Sequence, residues 1–144
     1  VLYTDGACSR KHGRAAYGWV RLLHGAVDGT FAVRADGLTN NQAEMMGVIH
    51  GLDVLAATFE LRSRPVVFCD SQYVVNGYNE WYDVWIRRRW RTVDGEPIKN
   101  QQHWRRLHEI GHRVDVDLRW VRGHAGVTYN EVVDKMLVAE MGRA

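Results

Sequence analysis

Two cysteines among 144 residues, Cys8 and Cys69, are too few for a disulfide framework, and free thiols of a reducing compartment fit them best. With so few thiols and no paired Cys or His spacing, the chain also lacks the makings of a zinc site. No apolar run approaches the roughly 18 residues of a membrane span. The opening residues show no secretory pattern of basic start, apolar stretch and small-residue cleavage site. Internal repeats, low-complexity tracts and linkers are missing too, so residues 1–144 are expected to form a single domain. The expectation from these absences is a soluble, cytoplasmic protein with no membrane partner and nothing that requires more than a monomer. At 46% hydrophobic and 25% charged residues, the chain has the material for a real core.

Net charge is only +2, but it is unevenly spread. Between Trp85 and Arg113 eight basic residues face three acidic ones, while the rest of the chain carries eleven basic and fourteen acidic residues. A basic lobe beside an acidic remainder suits a polyanion docked at one place and a cation held at another.

Local pattern predicts the order β-β-β-α-β-α-α-α-β-α. Val1 to Thr4 reads as a strand ending at Asp5-Gly6. Tyr17–Leu23 and Thr30–Arg34 read as a hairpin joined by a longer loop over 24–29. Thr39 with Gln42 forms a capping box for a helix whose stripe is Met45, Val48, Ile49, Leu52, Leu55, Ala56 and Phe59, with Glu44 in its first turn. Pro65 to Cys69 is an apolar run without alternation, a strand covered on both faces. It ends at Asp70, where Ser71 caps the next helix. Trp81–Arg89 and Asn100–His112 are further helices. Val114, Val116, Leu118 and Trp120 alternate as a last strand. Thr128 and Glu131 form a second capping box for the final helix, with Asp134 in an early turn. Trp19, Trp104 and Trp120 are expected in the core, and Cys8 is expected to be buried. The fold class is α/β, a mixed five-stranded sheet flanked by helices on both faces.

Within this frame four acids stand in distinctive contexts: Asp5 in Tyr-Thr-Asp-Gly, Glu44 in Thr-Asn-Asn-Gln-Ala-Glu, Asp70 in Cys-Asp-Ser-Gln-Tyr, and Asp134 in Asn-Glu-Val-Val-Asp. Two fall at strand ends and two near helix starts, and ligands of open α/β sheets collect at the carboxyl ends of strands. Carboxylates gathered from four stretches need a cation, and hard divalent ions prefer oxygen ligands.

Thr4-Asp5-Gly6, Thr39-Asn40-Asn41 with Glu44, Asp70-Ser71-Gln72-Tyr73, Trp120 to Gly126, and Asn130-Glu131 with Asp134 together resemble type 1 ribonuclease H, ribonuclease HI. The stretch from Trp85 to Asn100 resembles that family's basic handle. The resemblance implies the ribonuclease H-like fold and a catalytic domain. The implied activity is an endonuclease that hydrolyses the RNA strand of RNA/DNA hybrids, leaving 5′-phosphate and 3′-hydroxyl ends. It also implies two Mg²⁺ ions, with Mn²⁺ as a substitute, held by Asp5, Glu44, Asp70 and Asp134. His124, on its glycine-flanked loop, would assist proton transfer or product release. Asn40, Asn41 and Gln72 would read 2′-hydroxyls and base edges in the minor groove. Thr39 and Asn100 would hold a phosphate of the DNA strand. Trp81, Trp85 and Trp90, with Arg87 and Arg88, would follow the backbone.

Two departures stand out. Lys11 occupies the place of an asparagine that contacts ribose in many relatives, and a lysine there can hold a phosphate instead. Gly37 stands where an arginine often completes the phosphate pocket, with Arg34 the nearest substitute. Two rival readings accompany the first: the ribonuclease H domain of a reverse transcriptase, and a catalytically silent hybrid-binding module, against which four intact acids weigh.

Overall fold

The computed structural model describes residues 1–9, 11–58, 63–123 and 128–142, the side chain of Thr128 excepted. Ten elements follow in the order expected: β1 (Leu2–Ser9), β2 (Arg14–Leu23), β3 (Ala26–Arg34), α1 (Asn40–Thr58), β4 (Val66–Cys69), α2 (Gln72–Glu80), α3 (Tyr82–Arg87), α4 (Gln101–Val114), β5 (Asp117–Trp120) and α5 (Thr128–Met141). The strands form one sheet in the order β3-β2-β1-β4-β5. The first three pair antiparallel, while β1–β4 and β4–β5 are parallel.

Alternation along the strands divides the core between two faces. Trp19 points to one side, with Leu2, Val67 and the α1 residues Met45, Val48, Ile49 and Leu52. Its neighbour Val20 points to the other, with Ala16 and the α5 residues Val133 and Leu137. The α1 side is the larger. There α4 adds Trp104, Leu107 and Ile110, so α1 is buried both toward the sheet and toward α4.

Several expectations need correction. β1 does not stop at Asp5-Gly6 but runs on to Ser9, because β2 keeps pairing with it after β4 has ended. The β2–β3 hairpin has a two-residue turn, His24-Gly25, rather than a longer loop. Both residues take positive φ (51° and 80°), which matches the twist of the flanking strands. The last strand starts at Asp117 because α4 continues to Val114 and ends on Asp115 in the left-handed region (φ 54°). Trp120 is 43% exposed rather than in the core. Trp90, expected to follow a nucleic-acid backbone, is instead 8% exposed, packed by Tyr82 and Trp85 with the Arg105 guanidinium over its ring. Phe59 lies outside the described residues.

Helix starts follow their caps. Thr39 N–H donates to Gln42 Oε1 (3.0 Å) and Gln42 N–H to Thr39 Oγ1 (3.2 Å), the reciprocal pair of a capping box. Ser71 Oγ accepts from Val74 N–H at 3.2 Å. The Thr128 hydroxyl lies outside the described atoms, although α5 does begin at that residue.

Candidate active site

Register brings the first two acids together. In the parallel β1–β4 pair Thr4 lies opposite Cys69, and the pairing stops there. The next residue on each strand is an aspartate, Asp5 on β1 and Asp70 just past β4. Asp70 is held from the β5 side. Trp120 Nε1–H donates to its carbonyl at 3.1 Å, and Val121 N–H donates to the Cys69 carbonyl at 3.0 Å. A Cβ on Gly123 would stand 2.9 Å from Asp70 Oδ2, so the chain passes this carboxylate closely.

Glu44 arrives from above, on the second turn of α1 rather than the first as expected. The helix can settle this low because two glycines leave room. A side chain at Gly6 would overlap the backbone of Ala43 and Glu44, and a Cβ at Gly47 would stand 2.8 Å from the Asp5 carbonyl oxygen. Asp5 and Glu44 are each 5% exposed. Gly6 N–H donates to Asp5 Oδ1 at 2.9 Å, and the buried Cys69 thiol approaches Glu44 Oε2 at 3.9 Å.

Such crowding resists ionisation. Burial first, then the neighbouring Asp70 charge, pushes the Asp5 carboxyl up to about 7, against the pull of hydrogen bonds from Glu44 and Gly6. Burial and the charges of Asp5 and Asp70 raise Glu44 well above the usual carboxylate range. Asp134, half-buried on the second turn of α5 and not in its first, adds to the repulsion at Asp5. Ligand atoms of Glu44, Cys69 and Asp70 lie within 4.8 Å of one another. Burial pushes the Cys69 thiol up and keeps it protonated, so the donors on offer are carboxylate oxygens. A cation placed among them relieves the repulsion that burial amplifies, and oxygen donors suit a hard one. The residues fit a divalent metal of that kind.

Asn40 and Asn41 stand just before Glu44 in the chain, and Gln72 follows Asp70 by two. Asn40 opens α1 and is exposed, while Asn41 is half-buried. Thr39 and Asn40 line a cavity of about 370 Å³ with Gly13, Gly37 and Cys8, which is half-buried rather than buried. Arg34 does not enter as a free cation, since its Nε holds both oxygens of Asp36 (2.9 and 3.0 Å). Lys11 is exposed in the turn after β1. Gln72 opens α2 at the rim of a second cavity, about 280 Å³, whose walls include Trp81 and Trp85. Trp81 is 49% exposed, but Trp85 is half-buried against Trp104, with ring centroids 4.9 Å apart. Arg87 and Arg88 are exposed. Asn100 is turned toward Gln42 and Tyr73. His124 falls outside the described residues.

Sequence reasoning passed over Gln42, Tyr73 and Gly47. Gln42 showed only as half of a capping box, and Tyr73 stood in a quoted motif without a task. Gly47 interrupts an apolar helix where alanine would be the better helix former, and that mismatch was the available signal.

Residues 1–141 match the family model described as RNase H. Ribonuclease H of Phenylobacterium zucineum is 40% identical over 136 residues, 94% of this chain and 86% of that one. Ribonuclease HI of Caulobacter vibrioides is 40% identical over 139 residues, covering 94% and 88%. Ribonuclease HI of Pseudomonas aeruginosa is 39% identical over 147 residues, covering 99% and 95%. Among solved structures, LC9-RNase H1, a type 1 RNase H with the type 2 active-site motif, superposes with a TM-score of 0.76 at 27% identity, over 98% of this chain and 71% of that one. A foamy viral protease-reverse transcriptase in complex with RNA/DNA hybrid reaches 0.84 at 16% identity, over 98% of this chain but 20% of that one, a likeness of fold alone. With a matching family model over nearly its whole length and relatives of this similarity, the chain belongs to the RNase H family.

Proposed function

We propose that this chain hydrolyses the RNA strand of RNA/DNA hybrids as an endonuclease, leaving 5′-phosphate and 3′-hydroxyl ends. The observation that carries the reading is the meeting of Asp5, Glu44 and Asp70 in one buried cluster, with the Asp134 charge felt at Asp5. Those four residues would hold two Mg²⁺ ions, with Mn²⁺ able to replace them. Held by these carboxylates, such ions would supply activation of a water and stabilisation of the leaving oxygen.

The chain's own groups do the rest. Asp5 and Glu44 are preorganised by burial, so little rearrangement accompanies ion capture. Their carboxyls take up protons readily in the empty site, and ion binding therefore releases protons. His124 would move a proton near the cut. Asn40, Asn41 and Gln72, at the starts of α1 and α2, present amides that donate to and accept from 2′-hydroxyls, and Thr39 and Asn100 serve a phosphate. Trp81, Trp85, Arg87, Arg88 and Lys11 add stacking surface and charge along the backbone. A monomer in the cytoplasm completes the reading; two free thiols suit a reducing compartment, and no helix among the described residues is long and apolar enough to cross a membrane.

A labelled-strand assay tests the proposal with RNA/DNA hybrid, duplex RNA, duplex DNA and single strands, each with Mg²⁺, Mn²⁺ or EDTA. Cutting confined to the RNA of the hybrid, and abolished by EDTA, is expected. Asp70→Asn should lose cutting by at least about 100-fold and lose Mg²⁺ binding by calorimetry with it. An Asp70→Asn protein that cuts normally would refute the site, and a wild type that binds hybrid but cuts in neither metal would point to the silent module.

A further inference from the structure

Asn100 breaks a local rule. It precedes α4 at the N-cap, where asparagine ordinarily turns its side chain back onto the helix's free N–H groups. Here it makes no such bond and its backbone is left-handed, with φ 60° and ψ 30°. Asparagine tolerates that conformation better than most residues, but it is still uncommon. The side chain is engaged elsewhere. Gln42 Nε2 donates to its Oδ1 at 3.1 Å, and its own Nδ2 donates to the Tyr73 hydroxyl at 3.2 Å. The same hydroxyl accepts a second bond from Trp104 Nε1, also at 3.2 Å.

Followed outward, these bonds form one chain across three elements. Gln42 is the capping-box partner of Thr39 at the start of α1, beside Asn40 and Asn41. Tyr73 is the second residue of α2, beside Gln72, and Trp104 sits in the first turn of α4. Tyr73 and Trp104 also pack ring against ring, their centroids 5.3 Å apart and their planes tilted by 53°, and line the same cavity as Gln72.

The structure assigns the Gln42–Asn100–Tyr73 bridge a positioning role: it sets the spacing between the α1 amides Asn40 and Asn41 and the α2 amide Gln72, and so the grip on the hybrid's minor groove. Each end of the Asn100 amide already holds one bond inside the protein, so, beside the phosphate that its second N–H can still reach, it contributes to binding through the spacing of its neighbours. The assignment rests on the proposed substrate. A bridge of this kind affects how well substrate is held, while the acids that would carry the chemistry are placed by β1, β4 and α1 packing.

Three variants test it: Tyr73→Phe, which removes the shared hydroxyl and keeps the ring; Asn100→Gly, which keeps the left-handed backbone without strain; and the double variant. Each single change is expected to raise KM for the hybrid by about five-fold with kcat nearly constant, and the double variant to raise it no further than either alone. In the free proteins, Tyr73→Phe should also shift the side-chain amide NMR signals of Gln42, whose amide bonds Asn100 and not the Tyr73 hydroxyl. A raised KM in Asn100→Gly with a wild-type KM in Tyr73→Phe would overturn the bridge in favour of direct contact by Asn100, and multiplicative effects would overturn it in favour of two separate contacts. Unmoved Gln42 amide signals would overturn it whatever the substrate. If the wild type cuts no hybrid while those signals do move, the substrate reading fails and the bridge stands.

Discussion

Asp5 is a carboxyl group in a place that resists its charge, and the cost should be visible in stability. Burial and Asp70 raise it in the folded chain to about 7, from an ordinary value of 3.8. For an acid raised on folding, the favourable contribution is fully present below the unfolded value and is lost as pH rises through the folded one. The empty site should therefore destabilise the protein increasingly between pH 4 and 7. Asp5→Asn, which keeps an acceptor for Gly6 N–H, should melt about 5 °C above wild type at pH 8 in EDTA. That gap should shrink toward pH 4 and should shrink again when Mg²⁺ is added to both proteins at pH 8. A variant that melts below wild type at every pH would show that the acids are not in conflict.

At the scale of elements, the site depends on how closely α1 approaches β1. Gly6 and Gly47 make that approach possible, and the parallel β1–β4 register supplies the aspartates. Gly47→Ala gains helix propensity, yet its Cβ would stand 2.8 Å from a backbone oxygen that cannot step aside. The expected net loss is about 1–3 kcal/mol by urea unfolding. Activity measured where the variant is fully folded should fall as well, because the helix that rises carries Glu44 with it. The capping box and the apolar stripe of α1 were readable in the sequence, since both are local patterns. The closeness of the helix was not, because a glycine in a helix says that something is near without saying what.

Across the whole molecule, the aromatic cluster under the handle is the other strained environment. His108 is 2% exposed among Tyr78, Tyr82, Trp85, Trp90, Trp104 and His112, and neither ring nitrogen has a hydrogen-bond partner. Burial first, then His112, lowers it from 6.5 to about 3. For a base lowered on folding, the unfolded chain binds the proton first, so stability is complete above pH 6.5 and is lost as pH falls toward 3. Urea midpoints should drop more between pH 7.5 and 4.5 in wild type than in His108→Leu. Parallel drops would mean that His108 titrates normally in the fold.

The sequence by itself determined the order of the ten elements, the caps of α1 and α2, the α/β class and the local contexts that single out the four acids, because each depends on neighbours within a few residues. Tertiary structure decided which groups meet. Trp120 left its expected place because alternation shows a strand's two faces but not whether a neighbour covers the strand's end, and Trp90 left its own because Tyr82, Trp85 and Arg105 close over it. The bonds of Asn100 to Gln42 and Tyr73 had no local signal because those partners are 58 and 27 positions away. The acids needed both levels: local context singled them out, and only strand register and two missing side chains brought Asp5, Asp70 and Glu44 into one charge-resisting site.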